Sequence, residues 1–142
     1  MDYRLAAPAD AATLAEMNGH LIRDEGHRNP MTAAELEARM LRWLAGAYEA
    51  VLFEEAGRAV GYALYRRDPD YVYLRQFFVR AEWRRRGMGR AALAWLRENR
   101  WGVQSRVRVE VLVGNAAGVA FWRAAGFRDY AITLEWEGDP VG

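Results

Sequence analysis

The chain has no cysteine and no lysine, one serine and two histidines. Each shortage removes a class of chemistry. Without cysteine there is no disulfide, no thiolate nucleophile and no Cys-ligated metal. Without lysine there is no Schiff base and no amine base, because all twenty basic residues are arginine, which stays protonated. A serine-hydrolase triad would need Ser105 to meet His20 or His27, and Ser105 lacks the flanking glycines of a nucleophile elbow. The two histidines also miss the i, i+4 spacing of a helical zinc site, so no metal is expected. No apolar run approaches the roughly 20 residues of a membrane span. The start, Met1-Asp2-Tyr3-Arg4-Leu5, has no basic segment followed by an apolar stretch, so a cytoplasmic protein is expected. A net charge of +1 gives no global attraction to nucleic acid or an anionic membrane.

What is present is a globule. With 142 residues, 52% of them apolar, residues 1–142 read as one domain with one core. Tyr3 to Ala6 reads as a strand, and Pro8-Ala9-Asp10 opens a helix with Leu14, Met17, Leu21 and Ile22 on one face. Thr32 with Glu35 forms a capping box for a second helix. Tyr48 to Glu54 and Ala59 to Tyr65 make a hairpin around Ala56-Gly57, and Tyr71 to Val79 adds a third strand. A helix from about Gly87 to Asn99, an alternating strand over 107–113, a helix from Asn115 to Ala125 and a last strand from about Arg128 to Trp136 complete the chain. The order is β-α-α-β-β-β-α-β-α-β, an α/β (α+β) arrangement with a sheet of mixed direction.

Two blocks carry the chemistry. Arg84-Arg85-Arg86-Gly87-Met88-Gly89-Arg90 lies between an apolar strand and an Ala/Leu-rich helix. A helix start exposes about four unpaired N–H groups and roughly half a positive charge. Glycines let a phosphate reach those donors, and the arginines add charge. The second block runs from Asn115 to Phe127 through Gly118, Trp122 and Gly126. A dinucleotide fingerprint on Gly87-x-Gly89-x-x-Ala92 with Glu110 is a rival. Its first glycine, however, does not follow directly on a strand, and Val111 to Val113 continue past the acid. A nucleic-acid patch on Arg84 to Arg86 is a weaker rival, and nucleic acid is not expected as a partner.

The two blocks together resemble the GNAT superfamily of acyl-CoA-dependent N-acetyltransferases. The family pattern Arg/Gln-x-x-Gly-x-Gly/Ala falls on Arg84, Gly87 and Gly89 without a gap. The resemblance implies a mixed, mainly antiparallel sheet of six to seven strands flanked by about four helices. It implies acetyl-CoA held at Phe78, Val79, Arg84, Arg85, Arg86, Gly87, Met88, Gly89, Arg90 and Asn115. It places a bulge at Arg75-Gln76 that splays this strand from the 107–113 strand. A backbone N–H there, that of Phe78, would polarise the thioester carbonyl. Transfer needs a base to free the amine, and Glu110 stands where family members carry that base. A solvent-facing Glu110 paired with Arg106 or Arg108 is the plainer alternative.

The sequence also departs from the family. The position of the usual acid, a tyrosine, is Trp122, whose indole N–H cannot usefully give up its proton. Tyr62, Tyr65, Tyr71 and Tyr73 stay open as replacements, and Trp122 can equally wall the acceptor pocket. A non-catalytic acyl-CoA-binding or sensor module is therefore the alternative to an acetyltransferase. Family acceptors approach from the side of the first two helices, which here brings Asn18, His20, Asp24, Glu25, His27 and Arg28 opposite Arg75, Gln76, Trp122 and Trp136. Asp24 and Glu25 could hold an ammonium, and Arg28 and Arg75 a carboxylate. A small amine is expected rather than a protein. A single terminal strand leaves an edge that a second subunit could cover, which suggests a homodimer.

Overall fold

The computed structural model describes residues 1–141. Strand β1 (Asp2–Leu5) is followed by helices α1 (Ala11–Glu25) and α2 (Ala33–Ala45). Strands β2 (Tyr48–Glu55), β3 (Arg58–Arg67) and β4 (Val72–Val79) come next. Helix α3 (Met88–Leu96), strand β5 (Val107–Val109) and helix α4 (Ala116–Ala124) complete the regular elements. The five strands form one sheet in sequence order, antiparallel except where β4 meets β5 in parallel.

Period-2 alternation builds a core on each face of this sheet. Along β2, Val51 and Phe53 join the cluster that α3 covers with Ala92, Leu93 and Leu96. Ala50 and Leu52 join the opposite cluster, covered by Leu14, Met17 and Leu21 of α1 and Met40 of α2. Local chemistry sets the boundaries. Ala56 and Gly57 take φ of 49° and 79°, the doubly positive pair of a tight hairpin turn between β2 and β3. The Thr32 hydroxyl accepts from the Glu35 amide while Glu35 accepts from the Thr32 amide, closing the capping box of α2.

Two expectations are corrected here. The sheet has five strands among the described residues, not six to seven. The expected last strand, 128–136, forms no strand, and β5 is only three residues long. Both have one cause. A strand exists by pairing, and β5 leaves β4 after Leu74 pairs with Val109, so only the three-residue outer edge of β5 is left on that side, and the terminal segment does not pair with it. Its alternating apolar side chains stand in solvent, with Tyr130 76%, Ile132 84%, Leu134 88% and Trp136 94% exposed.

Candidate functional site

The parting of β4 from β5 begins at an irregularity in β4. Leu64 of β3 pairs with Gln76, but the next residue, Tyr65, pairs with Leu74, so Arg75 is the extra residue of a bulge. Parallel pairing with β5 spans Val72 to Leu74 and ends just before that bulge. Past it, β4 runs on to Val79 with no strand beside it on that edge among the described residues, while the chain after Val109 leaves the ladder. Phe78 is buried among α1 side chains, and Val79 ends the strand.

The chain then makes a short turn over Ala81–Trp83 and enters α3 through Gly87, whose φ of 74° favours glycine. No side chain caps this helix, so the amides of Met88, Gly89 and Arg90 have no side-chain acceptor at the helix start. Gly89 has a second reason to be glycine: an added Cβ would lie 3.0 Å from the Phe121 ring of α4. The arginines divide into two groups. Arg84 is committed, with Nε donating to the Val79 carbonyl at 2.7 Å and Nη2 to Asp24 Oδ2 at 2.6 Å. Arg85, Arg86 and Arg90 are exposed and unpaired among the described residues, with Arg86 lying over Trp83. Asn115 uses its Oδ1 to cap α4, accepting from the Gly118 amide at 3.1 Å. A Cβ at Gly118 would fall 2.4 Å from the Asn115 amide nitrogen, so alanine there would displace the Asn115 side chain.

Below the splay lies a cavity of about 710 Å³ between α1, the loop after it, α2 and β4. It gathers Glu25, His27, Arg28, Arg75, Gln76, Glu110 and Trp122, all named from the sequence. Asp24 is not among its walls; it faces the α3 entry loop through Arg84. Of the four tyrosines left open, only Tyr73 lines it. The Tyr62 hydroxyl, fully buried, donates to Gln76 Oε1 at 2.8 Å, and that of Tyr65 is bonded to Glu49. Tyr73 keeps its proton, its pKa pushed up to about 12 by burial and by the neighbouring Glu110 carboxylate. Burial pushes the Glu25 carboxyl above its usual range, against the pull of His27. Trp122 wedges between Phe77, Phe121 and Phe127 with ring centroids 5.0–5.4 Å apart, so it is both packing and wall.

Two residues of the cavity escaped the sequence reading of the acceptor side. Tyr73 was seen only as one of four equal tyrosines. Arg39, on α2, belongs to none of the motifs read from the sequence. Its signal is the neighbouring Trp43, over which its guanidinium lies at 4.3 Å.

Comparison with known proteins agrees in one direction. The family model described as "Acetyltransferase (GNAT) family" matches residues 14–127. No curated protein matches the chain. Among solved structures, it is similar to one described as a possible acetyltransferase from Clostridium difficile 630. That match has TM-score 0.78 and 14% identity, covering 99% of this chain and 98% of that one. The aminoglycoside N-acetyltransferase AAC(6')-Iy in complex with CoA gives TM-score 0.77 and 15% identity over 96% of this chain and 93% of that one. A ribosomal-protein-alanine N-acetyltransferase from Brucella melitensis biovar Abortus 2308 gives 0.66 and 19% over 94% and 100%. At such identities the likeness is one of fold.

Proposed function

Because the chain belongs to the acetyltransferase (GNAT) family, we propose that it moves the acetyl group of acetyl-CoA directly to the amine of a small molecule in a ternary complex. One observation carries this reading: the uncapped start of α3, the splay of β4 from β5 and a cavity holding Glu110 lie together at one end of the sheet.

The residues fit the cofactor. The Met88, Gly89 and Arg90 amides suit a diphosphate, and the unpaired Arg85, Arg86 and Arg90 supply charge for it and for a 3′-phosphate. Arg84 holds the loop by tying it to Val79 and Asp24. Phe78 and Val79 border the widened edge of β4, where backbone groups would pair with the pantetheine arm. The Phe78 N–H expected as oxyanion donor faces β3, because Phe78 and Tyr62 form a hydrogen-bonded pair of the antiparallel ladder. Phe77 and Val79 turn their N–H groups to the widened edge, and one of these is assigned to the thioester carbonyl. Glu110 takes the proton from the attacking ammonium, directly or through water, so that a neutral amine can attack. A phenol that keeps its proton to about 12 is a weak donor to a thiolate, so Tyr73 orients Glu110 rather than replacing the missing family acid. The acceptor enters through the cavity, with His27, Arg28, Arg75, Gln76 and Trp122 around it.

We also infer that two copies associate. The bare edge of β5 and the exposed apolar row Tyr130, Ile132, Leu134 and Trp136 support that reading.

Calorimetric titration with acetyl-CoA tests the cofactor site. The parent binds and Gly87→Glu, which puts a carboxylate at the helix start, does not. Absence of binding by the folded parent overturns the proposal. With an amine that releases thiol, Glu110→Gln lowers turnover by about a hundredfold or more and leaves acetyl-CoA affinity unchanged.

A further inference from the structure

The wall of the cavity formed by α1, α2 and the β4 bulge holds two positive charges with nothing to neutralise them. Arg39 and Arg75 both lie over the Trp43 ring, their guanidinium carbons 4.3 and 4.8 Å from its centroid. Neither has a carboxylate partner among the described residues. Arg39 Nη2 donates to Asn18 Oδ1 at 3.1 Å, and Arg75 Nη1 donates to the Tyr48 hydroxyl at 3.2 Å. The pair repels itself: burial first, and then Arg75, weakens the hold of Arg39 on its proton. Two donors here also lack an acceptor among the described residues, the Asn18 amide Nδ2 and Arg39 Nε. Asn18 is 1% exposed and still lines the cavity.

Buried donors without acceptors are costly, and adjacent like charges add to that cost. A water could satisfy one donor but would leave both charges facing each other. An anion answers both deficits, and a planar carboxylate matches the fork of a guanidinium. Arg28, the other arginine of the cavity, is already engaged, donating to both oxygens of Glu135 at 3.0 and 2.8 Å. The cavity's two carboxylates, Glu25 and Glu110, come from α1 and from the chain just past β5. Its walls thus offer guanidinium to an anion and carboxylate to an amine.

We propose that Arg39, Arg75 and Asn18 form a subsite for a carboxylate carried by the acceptor, which is therefore an amino acid or amino acid-like zwitterion rather than a polycation. The inference rests on the acyl-transfer reading of the cavity and narrows its substrate class. A polycationic acceptor would leave Arg39 and Arg75 without a counter-charge on this wall.

The test is calorimetry on the protein saturated with CoA, titrated with the twenty common L-amino acids, their α-carboxamides and a polycationic aminoglycoside. At least one amino acid binds, and its carboxamide binds about ten- to a hundredfold more weakly. Arg39→Gln and Arg75→Gln each remove most of that difference without changing CoA affinity. Arg39→Lys and Arg75→Lys, which keep the charge and better preserve the packing on Trp43, retain part of it. The inference is overturned if carboxamides bind as well as acids, or if no amino acid binds while CoA does. Either result leaves the acyl-transfer reading standing. Amino acid binding without CoA binding does the reverse, upholding the subsite and removing acyl transfer.

Discussion

Tyr73 shows how one residue's surroundings choose among residues of the same type. Four tyrosines are equivalent in the sequence, and only burial and neighbours separate them. Its hydroxyl lies beside the Glu110 carboxylate, which together with burial raises its own pKa to about 12. Tyr73→Phe is expected to lower kcat about tenfold with acetyl-CoA affinity unchanged. An unchanged kcat would mean that Tyr73 only packs. Asp10 offers a test of stability at the same scale. The Arg4 guanidinium holds its carboxyl below the usual range, with burial opposing and the Ala7 amide assisting. A depressed carboxyl stabilises the fold above its unfolded pKa and loses that contribution as pH falls through the folded one. The melting temperature should therefore drop below about pH 4, and Asp10→Asn should flatten that drop while lowering the plateau above it. Residues whose type announces chemistry within a motif, such as Glu110 and Gly87, were legible. Arg39 was not, because its partners Asn18 and Trp43 come from two different helices and a single chain pattern does not bring them together.

Elements were legible where local chemistry fixes them. The capping box of α2, the hairpin at Ala56-Gly57 and the glycine-led entry of α3 are each set by two or three neighbouring residues. Thr32→Ala should therefore cost about 1 kcal/mol in denaturant unfolding and leave acetyl-CoA binding untouched, because α2 lies away from the α3 entry. Elements fixed by long-range pairing were read less well. The alternation of Val107, Val109, Val111 and Val113 is a good strand pattern over seven residues, yet only Val107–Val109 pair. What stops the strand lies elsewhere, in the Arg75 bulge of β4, which ends the ladder that β5 would have followed. The same bulge that shortens β5 opens the widened edge assigned to the thioester. Sequence periodicity therefore over-reads strands beside a splay, since it records the side-chain pattern and not the partner.

At the scale of the whole molecule, that splay leaves the sheet unfinished on one side. β5 is its last strand, and the alternating segment beyond α4 keeps contact with the body through the Arg28–Glu135 pair and the Arg108–Tyr130 hydrogen bond. Tyr130, Ile132, Leu134 and Trp136 are each at least 76% exposed, which is costly for a lone chain in water. Burying such side chains is worth about 1.5–3 kcal/mol apiece, enough for four of them to hold two copies together after the cost of association. The segment has the alternation of a strand and the sheet has a free edge, so the two should meet across a two-fold axis. Light scattering on the purified protein should then give twice the 16.2 kDa chain mass. Ile132→Asp combined with Trp136→Glu should return it to one. Pairing of this segment would reach the acceptor cavity, because Glu135, which occupies Arg28, lies within it. If the segment closes the cavity as it pairs, the monomeric variant keeps its acetyl-CoA affinity and raises the KM for the amine. A parent that runs at 16.2 kDa at micromolar concentration would show that the row stays in solvent and that the cavity is completed by one chain.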